Sequence, residues 1–245
     1  MNATIDLLKS HRSIRKYTDQ PVGDEALETI ISAGQAAATS SFVQATTVIR
    51  VTDPEHRKQL RHMAGDQPYI EKAPEFLVFC ADLARASLCC EMHGIEAQAD
   101  YTEQFIIATV DTGLFAQNCA VAAESMGLGI CYIGGIRNNI ADVAELLGLP
   151  EHVYPVFGFC IGHPDQDPDL RPRLPMSVVL KEGSYSDDGD RETIADYDKV
   201  VEAYYAKRRG GSKAMTWTRQ VAGLLSEKCR PHMLPFLHSK GFLKR

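Results

Sequence analysis

The sequence predicts an α/β or α+β domain, on three observations. Two continuous apolar runs, Glu75-Phe76-Leu77-Val78-Phe79-Cys80-Ala81 and residues 154–161, read as strands buried on both faces. Stretches of helical period lie around them, the longest over residues 103–126. Glycine and proline clusters punctuate each change of period. Buried strands separated by helices give one of these two classes.

The elements follow in order. Residues 4–9 form a short helix with Ile5, Leu7 and Leu8 as its apolar side, and the basic stretch His11-Arg12-Ser13-Ile14-Arg15 ends it. Gln20-Pro21-Val22-Gly23 is a loop. A helix runs over residues 24–38, with Leu27, Ile30, Ile31 and Ala38 at helical spacing and Asp24 and Glu25 suited to its first turn. Residues 39–44 are a polar loop carrying Phe42, residues 46–52 a strand and residues 54–63 a charged helix. Residues 64–69 are a loop rich in side chains able to touch a ligand. Residues 103–126 are apolar nearly all round, which places that helix deep in a core or between two copies. Gly127-Leu128-Gly129 stops it. Residues 130–133 form a buried strand, Gly134-Gly135 a turn and residues 139–147 a helix ended by Gly148-Leu149-Pro150. Residues 163–175 are a loop rich in proline and aspartate that holds Arg171 and Arg173. Residues 177–180 read as a short edge strand, and residues 191–245 as mostly helical and more polar, interrupted at Arg208-Arg209-Gly210-Gly211.

Bulk properties exclude several classes. A chain of 245 residues can bury a substantial core as one large domain or two small ones. A net charge of −6 and a pI near 5.8 argue against a general nucleic-acid surface. No apolar run reaches the roughly 18 uncharged residues a bilayer needs; Asp111, Gln117, Asn118 and Glu124 interrupt the nearest. The first residues lack a secretory pattern. Seven cysteines, an odd number without CxxC spacing and mostly among apolar neighbours, read as reduced core thiols of a cytoplasmic protein.

The common catalytic patterns fail. No histidine sits in an HExxH or paired Cys/His arrangement, so no metal is expected, and no GxSxG frames a serine nucleophile. Gly127-Leu128-Gly129 has a helix before it and a strand after it, the reverse of a dinucleotide fingerprint. Gly134-Gly135 does lie between a strand and a helix; its amides either approach a flat ring or an anion, or form a plain turn. Arginine remains. Its planar fork grips phosphate in two places. Arg12 and Arg15 flank Ser13 in one loop, and Arg171 and Arg173 stand close together in another. Spacing alone leaves an anion grip and a set of solvated salt bridges level.

Taken in order, further stretches resemble the nitroreductase superfamily, and within it the oxygen-insensitive NADPH nitroreductases and NADPH-flavin oxidoreductases. They are His11-Arg12-Ser13-Ile14-Arg15, Ser40-Ser41-Phe42-Val43-Gln44, Gly65-Asp66-Gln67, Asp111-Thr112-Gly113-Leu114-Phe115-Ala116-Gln117-Asn118, Ala123-Glu124-Ser125-Met126-Gly127-Leu128-Gly129, Tyr132-Ile133-Gly134-Gly135-Ile136-Arg137-Asn138-Asn139 and Pro168-Asp169-Leu170-Arg171-Pro172-Arg173-Leu174-Pro175. The resemblance implies an α+β fold: a mostly antiparallel central sheet flanked by helices, one domain over residues 1–245 with a helical excursion and arm at about 191–245. It implies an intertwined homodimer with bound FMN. Under it, His11, Arg12, Ser13, Arg15, Arg171 and Arg173 hold the phosphate and ribityl chain. Tyr132, Ile133, Gly134 and Gly135 supply backbone contacts near the ring, and Ser40 and Gln67 come from the other subunit. Arg208 takes the 2′-phosphate of NADPH, and Ser41, Phe42, Arg137 and Arg230 shape that site. The implied reaction moves two electrons from NADPH through flavin N5 to nitroaromatics, quinones or free flavins, by a ping-pong sequence. The competing readings are a flavin carrier with little turnover and an interaction protein whose arginines only make salt bridges.

Overall fold

The computed structural model describes residues 2–208, 213–227 and 229–245. The chain runs α1 (Ala3–Lys9), α2 (Asp24–Gln35), β1 (Thr46–Arg50), α3 (Pro54–Met63), α4 (Tyr69–Lys72), β2 (Glu75–Asp82), α5 (Ala84–Met92), α6 (Thr102–Ser125), β3 (Gly129–Ile133), α7 (Ile140–Leu146), β4 (Val153–Gly162), α8 (Met176–Val179), α9 (Asp190–Lys207), α10 (Trp217–Glu227) and α11 (Met233–Ser239). Two 3₁₀ turns, Ser40–Phe42 and Gly134–Asn139, matter for function.

The sheet has the order β1-β2-β4-β3, and all its pairs are antiparallel. Every residue of β2 is buried, as its unbroken apolar run requires. One face packs on α2 and α6 through Leu27, Ile30, Ala116, Cys119 and Ala120. The other covers a larger core that includes Leu60, Ile70, Ile136, Val143 and Phe242. Pro155 lies in the central strand β4, where a proline has no N–H for the ladder. The chain accommodates it with a bulge: Phe79 pairs Phe157 and Cys80 pairs Pro155, so Val156 is the extra residue.

The helix ends follow local chemistry. Asn2 caps α1 by accepting the Ile5 N–H at 3.0 Å. Asp53 caps α3 by accepting the Glu55 N–H at 2.7 Å, with Pro54 at the first helical position. α2 stops at Gln35, three residues short of the expectation, where the Ala36 and Ala37 N–H groups close back on Ser32, Ala33 and Gly34.

The structure corrects two sequence expectations and adds to the reading of two helices. Residues 177–180 pair with no strand among the described residues. Met176–Val179 form one helical turn after Pro175, closed by the Leu180 N–H on Met176 O at 2.8 Å. α5 was not signalled, because its Ala, Ser and Cys give little hydrophobic contrast. Cys80, Cys119, Cys131 and Cys160 are buried, but Cys89 and Cys229 are exposed and Cys90 half-buried, so the cysteines are not all core. Finally, α6 is long and apolar enough to cross a bilayer by length and composition, despite its polar interruptions. Here it packs on α2 and the sheet, with Asp111 and Thr112 turned inward.

The described chain forms two compact units. The first takes everything up to Gln166 together with Arg230–Arg245, and the second is Asp167–Cys229.

Candidate functional site

The basic stretch after α1 runs extended along the free edge of β3. The Ile14 N–H donates to Ile130 O at 2.8 Å, and Ser13 pairs with Ile130 in a parallel bridge. Ile14 is buried against Gly129, where a Cβ would lie 2.5 Å from Ile14 Cγ1. Gly129 is therefore what lets the stretch approach the strand. Alternation along an extended chain turns Ser13 and Arg15 away from Ile14. The Tyr17 hydroxyl donates to Ile14 O at 2.6 Å and fixes the bend that follows. His11 begins the stretch, its Nδ1 bonded to Glu124 Oε1 of α6 at 2.5 Å.

Arg15 leads to the second part. Its guanidinium carbon lies 6.0 Å from the centre of the Tyr69 ring. The Tyr69 hydroxyl donates to Gln67 Oε1, and Gln67 Nε2 donates to Ala64 O at 2.7 Å. Gln67 packs on Gly135, where any Cβ would overlap Gln67 Nε2 and lie 2.5 Å from Ala64 O. Gln67 and Gly135 thus face one region from a single chain, whereas the resemblance brings Gln67 from the partner.

The Gly134–Asn139 turn is tied down on all sides. Arg137 donates to Val156 O, the carbonyl of the bulged residue. Burial lowers the Arg137 pKa from its ordinary value, and the neighbouring Arg230 adds to that. Arg230 donates to Asn138 Oδ1 at 2.8 and 3.0 Å and to Gly134 O at 3.3 Å. His232 Nε2 donates to Arg137 O at 2.9 Å, which fixes that ring's tautomer. Asn139 reaches Met63 O at 2.7 Å. Tyr132 and Ile133 end β3 just before this turn. Burial pushes the phenols of Tyr132 and Tyr69 and the thiol of Cys131 up, so all three stay protonated near neutral pH.

The third part has a different support. Ser41, Phe42 and Gln44 all have left-handed backbone, with φ of 47°, 61° and 55°. Three such residues within four positions store strain of about 1–3 kcal/mol each, and strain of this kind clusters at functional sites. Phe42 is 80% exposed. Asp111, 1% exposed in the middle of α6, holds the turn: Oδ1 accepts the Ser40 N–H at 3.0 Å and Oδ2 the Ala45 N–H at 3.4 Å.

The second unit carries the other expected residues. Arg171 and Arg173 flank Pro172, whose carbonyl accepts the Tyr197 hydroxyl at 2.9 Å. They border a cavity of about 260 Å³ lined also by Tyr197, Tyr205 and Trp217. Arg208 caps the C-terminal end of α9 and is half-buried. Arg209, Gly210 and Gly211 lie outside the described residues.

The structure thus joins Arg15, Gln67, Gly134, Gly135, Arg137 and Arg230 through one chain of contacts. Three supporting residues escaped the sequence reading: Gly129, Asp111 and Glu124. The signal for the last two was present, since both are carboxylates inside an apolar helix.

This arrangement has known counterparts. A model of the nitroreductase family matches residues 8–163, and a model of that family's C-terminal domain matches residues 171–245. The chain belongs to the nitroreductase family. It is 50% identical to an NADPH-flavin oxidoreductase of Vibrio harveyi, with all of both chains covered. It is 44% identical, again over 100% of both chains, to an oxygen-insensitive NADPH nitroreductase of Salmonella typhimurium. Among solved structures, the NADPH:FMN oxidoreductase from Vibrio harveyi complexed with NAD+ superposes with a TM-score of 0.91 at 49% identity, covering 100% of both chains. The antiparallel, α+β form of the sheet agrees with this nitroreductase fold.

Proposed function

We propose that this nitroreductase is an NADPH-driven, FMN-dependent reductase of small flat acceptors: nitroaromatics, quinones or free flavins. The observation that carries the reading is the extended stretch from His11 to Arg15 on the edge of β3, joined through Tyr69 to Gln67 and Gly135. The residues fit the cofactor. Arg12, Ser13 and Arg15 are the donor types that hold a phosphate. Gly134 and Gly135 have no side chain, which admits Arg137 and Gln67 close against the backbone of that turn. When bound, FMN supplies the two-electron exchange between NADPH and acceptor.

The chain's own residues bind and orient. Arg12, Ser13 and Arg15 hold the phosphate end. Gln67, Arg137 and Arg230 fix the turn at the ring end. Tyr132, Tyr69 and Cys131 stay protonated, so none of the three serves as a base. Donor and acceptor would share one binding space in turn, the condition for a ping-pong sequence.

The exposed α6 residues Ile106, Val110 and Leu114, four apart, form an apolar stripe. We assign it to a homodimer in which Ser40 and Phe42 of one copy complete the site of the other. Sedimentation at micromolar concentration should give twice the chain mass, and a monomer there would refute the assignment. The seven free thiols favour a cytoplasmic home.

Steady-state oxidation of NADPH with a quinone tests the activity, and Arg208 tests the donor. Arg208→Ala removes a charge-assisted contact, so the KM for NADPH should rise about tenfold or more. The KM for NADH should stay within about twofold. An equal rise for both would remove the 2′-phosphate role, and absence of turnover in FMN-loaded protein would overturn the reading.

A further inference from the structure

The pair formed by His11 and Glu124 joins residues 113 apart in the sequence at a donor–acceptor distance of 2.5 Å. Glu124 is an expensive choice at that place for stability alone. It sits in the last turn of α6, where the helix dipole is negative and a carboxylate costs roughly 0.3–1 kcal/mol. Its side chain is also only 12% exposed, so it has lost most of its water. The His11 bond is what compensates for both.

The bond also fixes the ring. A carboxylate only accepts, so His11 Nδ1 carries the proton and Nε2 is left for a ligand. The ring cannot flip without breaking the bond. His11 precedes Arg12, Ser13 and Arg15, and its side chain keeps 30% exposure. A half-buried acid thus orients one nitrogen of a partly exposed imidazole at the start of the anion-binding stretch.

We propose that Glu124 is a positioning residue for recognition of the flavin phosphate, acting by holding His11 in one orientation. The inference rests on the FMN reading above. Glu124 does not touch the cofactor; it acts through His11.

The test compares FMN with riboflavin, which lacks the phosphate. Both are titrated into flavin-free protein and followed by flavin fluorescence. Glu124→Ala should weaken FMN about tenfold and leave riboflavin within about twofold, the loss of one oriented polar contact to an anion. Glu124→Gln keeps an acceptor for Nδ1–H and should restore FMN affinity to within about threefold of wild type. With His11→Ala already present, Glu124→Ala should change FMN affinity no further.

Equal losses for FMN and riboflavin would make Glu124 merely structural and overturn the proposal. So would an unchanged FMN affinity in Glu124→Ala, failure of Gln to rescue, or a further loss on the His11→Ala background. Thermal unfolding of each flavin-free variant identifies one that has lost its fold; the double variant then decides against or for the proposal on the His11→Ala scaffold. Wild-type protein that takes up no FMN brings down the FMN reading and this inference together.

Discussion

Gly129→Val should strip the protein of flavin although Gly129 has no side chain with which to bind it. A Cβ at this position meets Ile14 Cγ1 at 2.5 Å, Cβ at 2.7 Å and Cγ2 at 2.9 Å. Isoleucine is branched at Cβ and stiff at χ1, so its side chain cannot swing clear. The sheet cannot yield easily either, because β3 is paired to β4 along its whole length. What gives is the stretch from His11 to Arg15, held to the strand by the Ile14 N–H on Ile130 O. Overpacking of this kind costs about 1–3 kcal/mol. We expect a folded protein with a lower thermal midpoint and FMN affinity reduced by at least about tenfold, since moving the stretch disturbs several charge-assisted contacts together. Fluorescence titration beside thermal unfolding checks it. Unchanged FMN affinity would mean that the approach of Ile14 to Gly129 does not place the arginines.

Asp111→Asn is the second large effect. The carboxylate receives two backbone N–H groups, from Ser40 and Ala45, in a nearly solvent-free position. Asparagine has one carbonyl oxygen, so its NH2 must face one of those donors. Leaving a buried donor unmet costs about 1–3 kcal/mol. The left-handed residues Ser41, Phe42 and Gln44 then lose the clamp that opposes their strain. Thermal unfolding should fall by several degrees, and limited proteolysis should open within residues 40–45. Because the turn carries Ser40 and Phe42, which complete the site of the other copy, FMN affinity should fall and the KM for a quinone should rise. A variant with wild-type proteolysis and KM would show that Asp111 does not hold the turn.

Much of this was legible because local physics decides it. Continuous apolar runs marked β2 and β4, and alternation was not needed, since both faces are covered. Pro54 and Asp53 set the start of α3. The basic stretch stood out because it sets a histidine, two arginines and a serine within five residues of an acidic chain. What escaped depends on distant partners. The anchor of Arg137 exists because Pro155 forces a bulge that frees the Val156 carbonyl, and no spacing in the sequence links 137 to 156. Glu124 and His11 meet only once α6 and the edge of β3 are in place. Residues 177–180 misled because Val178 and Val179 favour a strand, yet they have no strand beside them to pair with among the described residues. The inward carboxylate of Asp111 looked like an interruption of an apolar helix and is a support for the turn beside it.

The central claim is that the guanidinium of Arg15 grips a flavin phosphate beside β3. The direct measurement is an FMN titration of flavin-free wild-type protein and Arg15→Ala, read by fluorescence quenching. The account predicts one FMN per chain for wild type and affinity about tenfold to a hundredfold weaker for the variant. Equal affinity in the two proteins, or no uptake of FMN by the wild type, would contradict it.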